Sequence, residues 1–111
     1  PHYHALFLGT GHNALVAQAY LARSGLRTLA LDRAAAPGGG LRTLENPRLP
    51  GFTHHPHSFF HRAITQMPWF RDLELTRHGV QYLQPELNVA MMLQDGRALE
   101  WWTDLDRTVA S

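Results

Sequence analysis

The order of apolar and polar residues changes its period along the first segment of the chain. "HALFLG" (His4 to Gly9) is a short apolar run ending in glycine, which predicts a buried strand feeding a turn. From about His12 to Ser24 the spacing becomes helical. Leu15, Ala19 and Ala22 share one face, with Val16 and Tyr20 beside them. Gly25 follows, where a helix commonly stops in a left-handed conformation. "LRTLALD" (Leu26 to Asp32) is again a compact apolar run and predicts a second buried strand. Strand, helix and strand in about 30 residues imply a parallel βαβ unit with a right-handed crossover.

Beyond Asp32 the periodicity breaks. "RAAAPGGGLRT" (Arg33 to Thr43), with three glycines after Pro37, predicts a flexible loop. "ENPRLPGFTHHPHS" holds three more prolines and is expected to be irregular or extended. "FFHRAITQM" (Phe59 to Met67) predicts a short helix. "PWFRDLELTRHG" (Pro68 to Gly79) has a helix-start proline and a helix-end glycine. "VQYLQ" and "NVAMMLQ" read as strands, and "DGRALEWW" supplies an Asp95–Gly96 hairpin turn and a return strand. In "TDLDRTVAS", Thr103 is expected as the N-cap of a helix, with Asp106 in a capping-box position.

Composition narrows the class. The 111 residues suit one small domain with a modest core, and 44% apolar content suits a globular chain. A net charge of +1 gives no pointer to nucleic acid or to an acidic membrane face. No run of about 18 apolar residues predicts a membrane span, and no secretory signal is visible. The absence of cysteine excludes disulfides, catalytic thiols and thiolate metal sites, and leaves cytoplasm as the default compartment. A chain that begins at Pro1 rather than Met points to a start that has been removed.

The chemistry sits in "GTGHNA", between the first strand and the helix. A pyrophosphate needs backbone N–H groups aimed at it and no side chain in the way. Gly9 allows the tight turn, Gly11 allows close approach, and the third position needs only a small residue, which Ala14 is. The helix that follows offers its N-terminus to the anion. Asp32 stands at the end of the second strand, near the roughly 20-residue spacing expected of an acid that binds ribose hydroxyls. It disfavours a 2′-phosphate but does not separate NAD from FAD. A glycine cluster shortly after the acid lets a second backbone segment pass close to a ligand.

These segments resemble the N-terminus of the phytoene desaturase-like FAD-dependent oxidoreductases. That group belongs to the glutathione reductase-like flavoprotein superfamily, alongside amine oxidases and retinol saturases. "GTGHNALVAQAYLARSGLRTLALDR" is similar to the family's fingerprint, and "PGGGLRT" to its glycine doublet with a following Thr. "LPGFTHHPHSFF" and "FRDLELTRHG" resemble the segments that come next. The nearest subgroup is the "pyridine nucleotide-disulfide oxidoreductase domain-containing" type. The resemblance implies an α/β, Rossmann-type FAD/NAD(P)-binding domain fragment, with the βαβ unit and an additional β-hairpin region. Residues 1–111 would be its N-terminal part, with the substrate domain outside this chain. It implies FAD as cofactor, with NAD as the alternative, and an organic, often lipid-like substrate bound by the missing part.

Carried over residue by residue, Gly9, Thr10, Gly11, His12, Asn13 and Ala14 match the pyrophosphate loop. Asp32 matches the ribose-binding acid, usually Glu in the family, and Arg33 a residue beside the adenosine end. Gly38, Gly39 and Gly40 match the glycine cluster, and Thr43 its trailing hydroxyl. Ala14 replaces the family's third glycine. Gly40 stands where many relatives carry a basic residue, for which Arg42 is the available substitute. No catalytic residue is assigned. The alternative is a small non-catalytic dinucleotide-binding or assembly module. Surfaces left open by a fragment would also leave self-association available to it.

Three other features have bland explanations. His54, His55, His57 and His61 cluster in "THHPHSFFH", and His57 with His61 has the i, i+4 spacing of metal ligands. Pro56 disfavours helix at His55, and no acid or thiol lies nearby, so no metal is expected. Met91–Met92 and Trp101–Trp102 read as sheet packing rather than as a groove for a quinone or polyene. Asp104, Asp106 and Arg107 read as a solvated helix face.

Overall fold

The computed structural model describes residues 2–58 and 60–111. The chain divides into two compact units, Pro1–Leu75 and Thr76–Ser111.

The first unit is built on a βαβ motif. β1 (Ala5–Leu8) and β2 (Thr28–Leu31) pair in parallel, with Ala5 opposite Thr28 and Leu8 opposite Leu31. Between them runs α1 (His12–Arg23), which lies against β2. Both strands are shorter than their apolar runs, but backbone bonds continue past them. His4 N donates to Arg27 O at 2.8 Å and Gly9 N to Leu31 O at 2.6 Å. α1 ends as its glycine predicts. Gly25 takes φ +82°, its N–H donates to Ala22 O at 2.9 Å, and Leu26 N donates to Leu21 O at 3.0 Å. These two bonds complete a Schellman motif.

The expected burial is corrected in two places. β1 is covered on one face only: Ala5 and Phe7 are half-buried, while Leu6 and Leu8 are 62% and 89% exposed; in β2, Thr28, Leu29 and Ala30 are all half-buried. A parallel sheet needs cover on both faces, and α1 supplies one. On α1, Ala14, Leu15, Val16, Gln18, Ala19 and Leu21 are half-buried, whereas Ala22 is exposed. The helix is thus rotated slightly from the face that its apolar spacing marks. Among the described residues no apolar side chain is fully buried, and Thr10 is the one buried residue.

The glycine-rich loop is more ordered than predicted, with a 3-10 turn over Gly39–Leu41 that touches α1. The proline-rich stretch forms a small antiparallel hairpin, β3 (Leu44–Glu45) with β4 (Thr53–His54). Asn46 closes it: its N–H donates to Phe52 O at 2.8 Å, and its side-chain oxygen accepts from Arg48 N at 3.0 Å. The short helix expected over 59–67 is reduced to a 3-10 turn, Ile64–Gln66; Phe59 lies outside the described residues.

α2 covers only Pro68–Asp72. The sequence pattern predicts a helix reaching Gly79, but Glu74 takes φ +52° and caps it early. Glu74 N donates to Arg71 O at 2.9 Å and Leu75 N to Phe70 O at 3.1 Å, a Schellman motif without glycine. α2 is tied to α1 through Asp72, which accepts the Tyr20 hydroxyl at Oδ2 (2.8 Å) and an Arg23 N–H at its carbonyl.

In the second unit, β5 (Leu87–Met92) and β6 (Ala98–Trp102) form an antiparallel hairpin. Residues 80–84, expected as a strand, are irregular. Leu93 N donates to Arg97 O at 2.9 Å and Gly96 takes φ +86°, so the predicted Asp95–Gly96 turn is a three-residue loop with a left-handed glycine. α3 (Leu105–Val109) packs on β6. Its N-cap is Asp104, not Thr103: Asp104 Oδ1 accepts from Arg107 N at 2.9 Å, while Thr103 Oγ1 lies 3.1 Å from Asn88 Nδ2 and 3.3 Å from Pro85 O. Arg107 is more than a solvated charge, with its guanidinium 3.5 Å from the Trp102 ring centre and 3.3 Å from Glu86 Oε2. Val89 faces Trp101 and Met91 faces Leu99 across the strands, as packing pairs that stay exposed. No helix among the described residues is long and apolar enough to cross a membrane.

Candidate functional site

The parallel pairing of β1 and β2 brings the C-terminal ends of both strands to the same edge, which sets "GTGHNA" beside Asp32. Gly9 leaves β1 with φ +106°, a region in which an L side chain is strained. Gly11 is the N-cap of α1 at φ −67° and ψ 168°, an ordinary extended conformation. A Cβ placed on Gly11 would meet nothing within 4 Å. Neither the turn nor the packing therefore requires glycine there. His12 and Asn13 are exposed in the first turn and Ala14 is half-buried. No side chain caps this helix and no acid sits in its first turn, so its leading N–H groups keep their partial positive charge.

Asp32 closes back onto the loop. Its Oδ2 accepts from both the N–H and the hydroxyl of Thr10, each at 2.7 Å, and its Oδ1 accepts from Ala34 N at 2.8 Å. The Ala34 N–H, the Thr10 hydroxyl and the Thr10 N–H all favour the ionised form. With help from the Arg42 charge they lower the carboxyl from 3.8 to about 2. Arg33 is exposed in the bend that follows.

The glycine cluster reaches the same point. Gly38, at φ +113°, donates its N–H to Thr10 O at 2.9 Å. Gly39, at φ +55°, passes so close to Gly11 that a Cβ on it would lie 3.0 Å from Gly11 Cα. Two glycine segments thus meet backbone to backbone. Arg42 Nε donates to Gly39 O at 3.3 Å. Gly40 is less constrained: a Cβ there would make an ordinary 3.7 Å contact with His57 Cβ.

Sequence reasoning places Thr10 in the loop but misses its task. Its carbonyl, N–H and hydroxyl join the end of β1, the end of β2 and the glycine cluster. The signal that could have found it is the strand register, which sets Leu8 opposite Leu31 and so brings Thr10 to Asp32. Thr43 is drawn toward the hairpin, with its hydroxyl 3.2 Å from His55 Nδ1. His54 and His61 have separate partners, His54 with Asn46 Nδ2 at 3.2 Å and His61 with Ser58. Among the described residues no group of three or more His, Cys, Asp or Glu is gathered to hold a metal ion.

Comparison with known proteins agrees with this geometry. The chain is 34% identical over 94% of its length to a limonene dehydrogenase subunit of Castellaniella defragrans, covering 18% of that protein. It is 36% identical over 86% of its length to pyridine nucleotide-disulfide oxidoreductase domain-containing protein 2 of Rattus norvegicus, covering 16% of that protein. The chain therefore spans less than a fifth of the curated relatives it matches. No solved structure matches it. Residues 8–73, more than half of the chain, match the NAD(P)-binding Rossmann-like domain family. With its βαβ unit, its glycine turn and the acid at the end of β2 in the expected order, the chain belongs to that family.

Proposed function

We propose that this chain is the FAD-binding part of a flavin-dependent oxidoreductase of the phytoene desaturase-like type. The observation that carries the reading is Gly11. Its backbone conformation is open to any residue, and its missing side chain leaves empty space beside the uncapped start of α1. The remaining reason for glycine is a ligand that needs that space, and the unpaired N–H groups there suit a pyrophosphate. In this reading Gly9, Gly11, His12, Asn13 and Ala14 frame the pyrophosphate. Gly38 and Gly39 support that loop from behind, and Asp32 and Arg33 lie at the adenosine end. The Arg42 charge adds to the positive field at the loop.

FAD, when bound, supplies the redox chemistry. The chain's own residues bind and orient it. The names of the relatives support an oxidoreductase, and the resemblance to the phytoene desaturase-like group supports FAD over NAD and an organic, lipid-like substrate.

The test is Gly11→Ala. A methyl group there meets no protein atom, so thermal stability should hold or rise slightly. Affinity for FAD, read by flavin fluorescence titration, should fall by at least about tenfold, or about 1.4 kcal/mol. Wild-type affinity in this variant would make the loop a turn and nothing more. Titration of the wild type with NAD and NADP in parallel separates the cofactors, with FAD expected to bind tightest and NADP worst.

A further inference from the structure

We propose that Thr10 is a positioning residue that leaves Asp32 a single free acceptor position, so that this site reads one ribose hydroxyl rather than the diol. The inference rests on the dinucleotide-binding reading above. An ionised carboxylate has about four acceptor positions, two on each oxygen. In this chain Oδ2 is fully used, by the Thr10 N–H and the Thr10 hydroxyl at 2.7 Å each. Oδ1 is half used, by Ala34 N at 2.8 Å. Among the described residues one position remains, on Oδ1.

Thr10 is not free to release its hydroxyl cheaply. It is 7% exposed, so water does not readily replace Asp32 as its partner. Its backbone is held on both sides, by Asp32 at the N–H and by Gly38 N–H at the carbonyl, 2.9 Å away. The hydroxyl therefore fixes the direction of the carboxylate as well as its occupancy. A ribose offers two hydroxyl donors, and the free Oδ1 position can take one of them.

Calorimetric titration with ADP, 2′-deoxy-ADP and 3′-deoxy-ADP reads this directly. In the wild type, one deoxy analogue should bind about tenfold more weakly than ADP, and the other within about threefold of it. Thr10→Val removes the hydroxyl at nearly constant shape, and the larger ratio should fall below about threefold; Thr10→Ser should restore it. Without any ligand, carboxyl NMR should show the Asp32 titration rising toward its ordinary range in Thr10→Val and staying low in Thr10→Ser. Thr10→Ala serves both measurements if valine disturbs the turn. A wild type equally weakened for both analogues, a Thr10→Val protein that keeps the wild-type ratio, or an unmoved Asp32 titration would overturn the assignment alone. A wild type that binds neither ADP nor FAD would overturn the dinucleotide reading and this inference with it.

Discussion

Asp32 shows how a single exposed side chain can be fixed by backbone geometry. The donors from Thr10 and Ala34 hold the carboxylate in place and keep it charged, with its pKa at about 2 instead of 3.8. A pKa lowered on folding contributes stability that is fully present above the unfolded value and is lost as pH falls through the folded one. That window runs from about pH 4 down to about pH 2. Asp32→Asn keeps the shape but has no charge to lose. We expect it to be less stable than the wild type at neutral pH, with the gap closing between about pH 4 and pH 2. Urea unfolding of both proteins across that range is the measurement. A gap that stays constant with pH would mean that the charge on Asp32 does not matter to the loop. Tyr20 moves in the opposite direction: donating to Asp72 holds its proton, so its hydroxyl ionises above 10.

Among the elements, the two Schellman caps of the first unit use different chemistry for the same turn. α1 ends on Gly25 at φ +82°, where a Cβ would find only open space. Replacing it tests the backbone term with no packing term added. Gly25→Ala should lower stability by about 1–2 kcal/mol, the cost of a left-handed L residue, visible as a reduced melting temperature. A neutral effect would show that α1 can end without the cap. α2 ends on Glu74 at φ +52° and accepts that strain in place, which explains why a glycine rule locates the end of α1 and overshoots the end of α2 by several residues.

For the molecule as a whole, apolar surface is the dominant feature. Leu6, Leu8 and Leu31 line the uncovered side of the parallel pair, at 62%, 89% and 51% exposure. In the second unit Val89, Met91, Leu99 and Trp101 stand opposite one another in exposed pairs. Patches of this kind drive association. The 111-residue chain should sediment as a concentration-dependent mixture. Leu8→Thr should shift it toward monomer while leaving the melting temperature of the dilute monomer unchanged, because Leu8 contributes almost no burial within the chain. Unchanged association in Leu8→Thr would move the contact away from the open face of the sheet.

The βαβ unit, the left-handed stop at Gly25, the Gly96 hairpin and the pairing of a glycine turn with an acid at the end of β2 were all legible in the order of residues. Each follows from local rules: the period of apolar residues, the backbone freedom of glycine, and the short reach of a turn. Other features depend on contacts between residues far apart in the chain, and these needed the folded molecule. The β1–β2 register set Thr10 against Asp32, and the return of the glycine loop set Gly39 against Gly11. Residues 80–84 join none of the sheets formed by the described residues and stay irregular despite their strand-like composition. Asp104 displaced Thr103 as the cap of α3, because the fold turned Thr103 toward Asn88 and Pro85. Burial was the least legible property: an apolar run records that a strand can be covered, and whether it is covered depends on what packs against each of its faces.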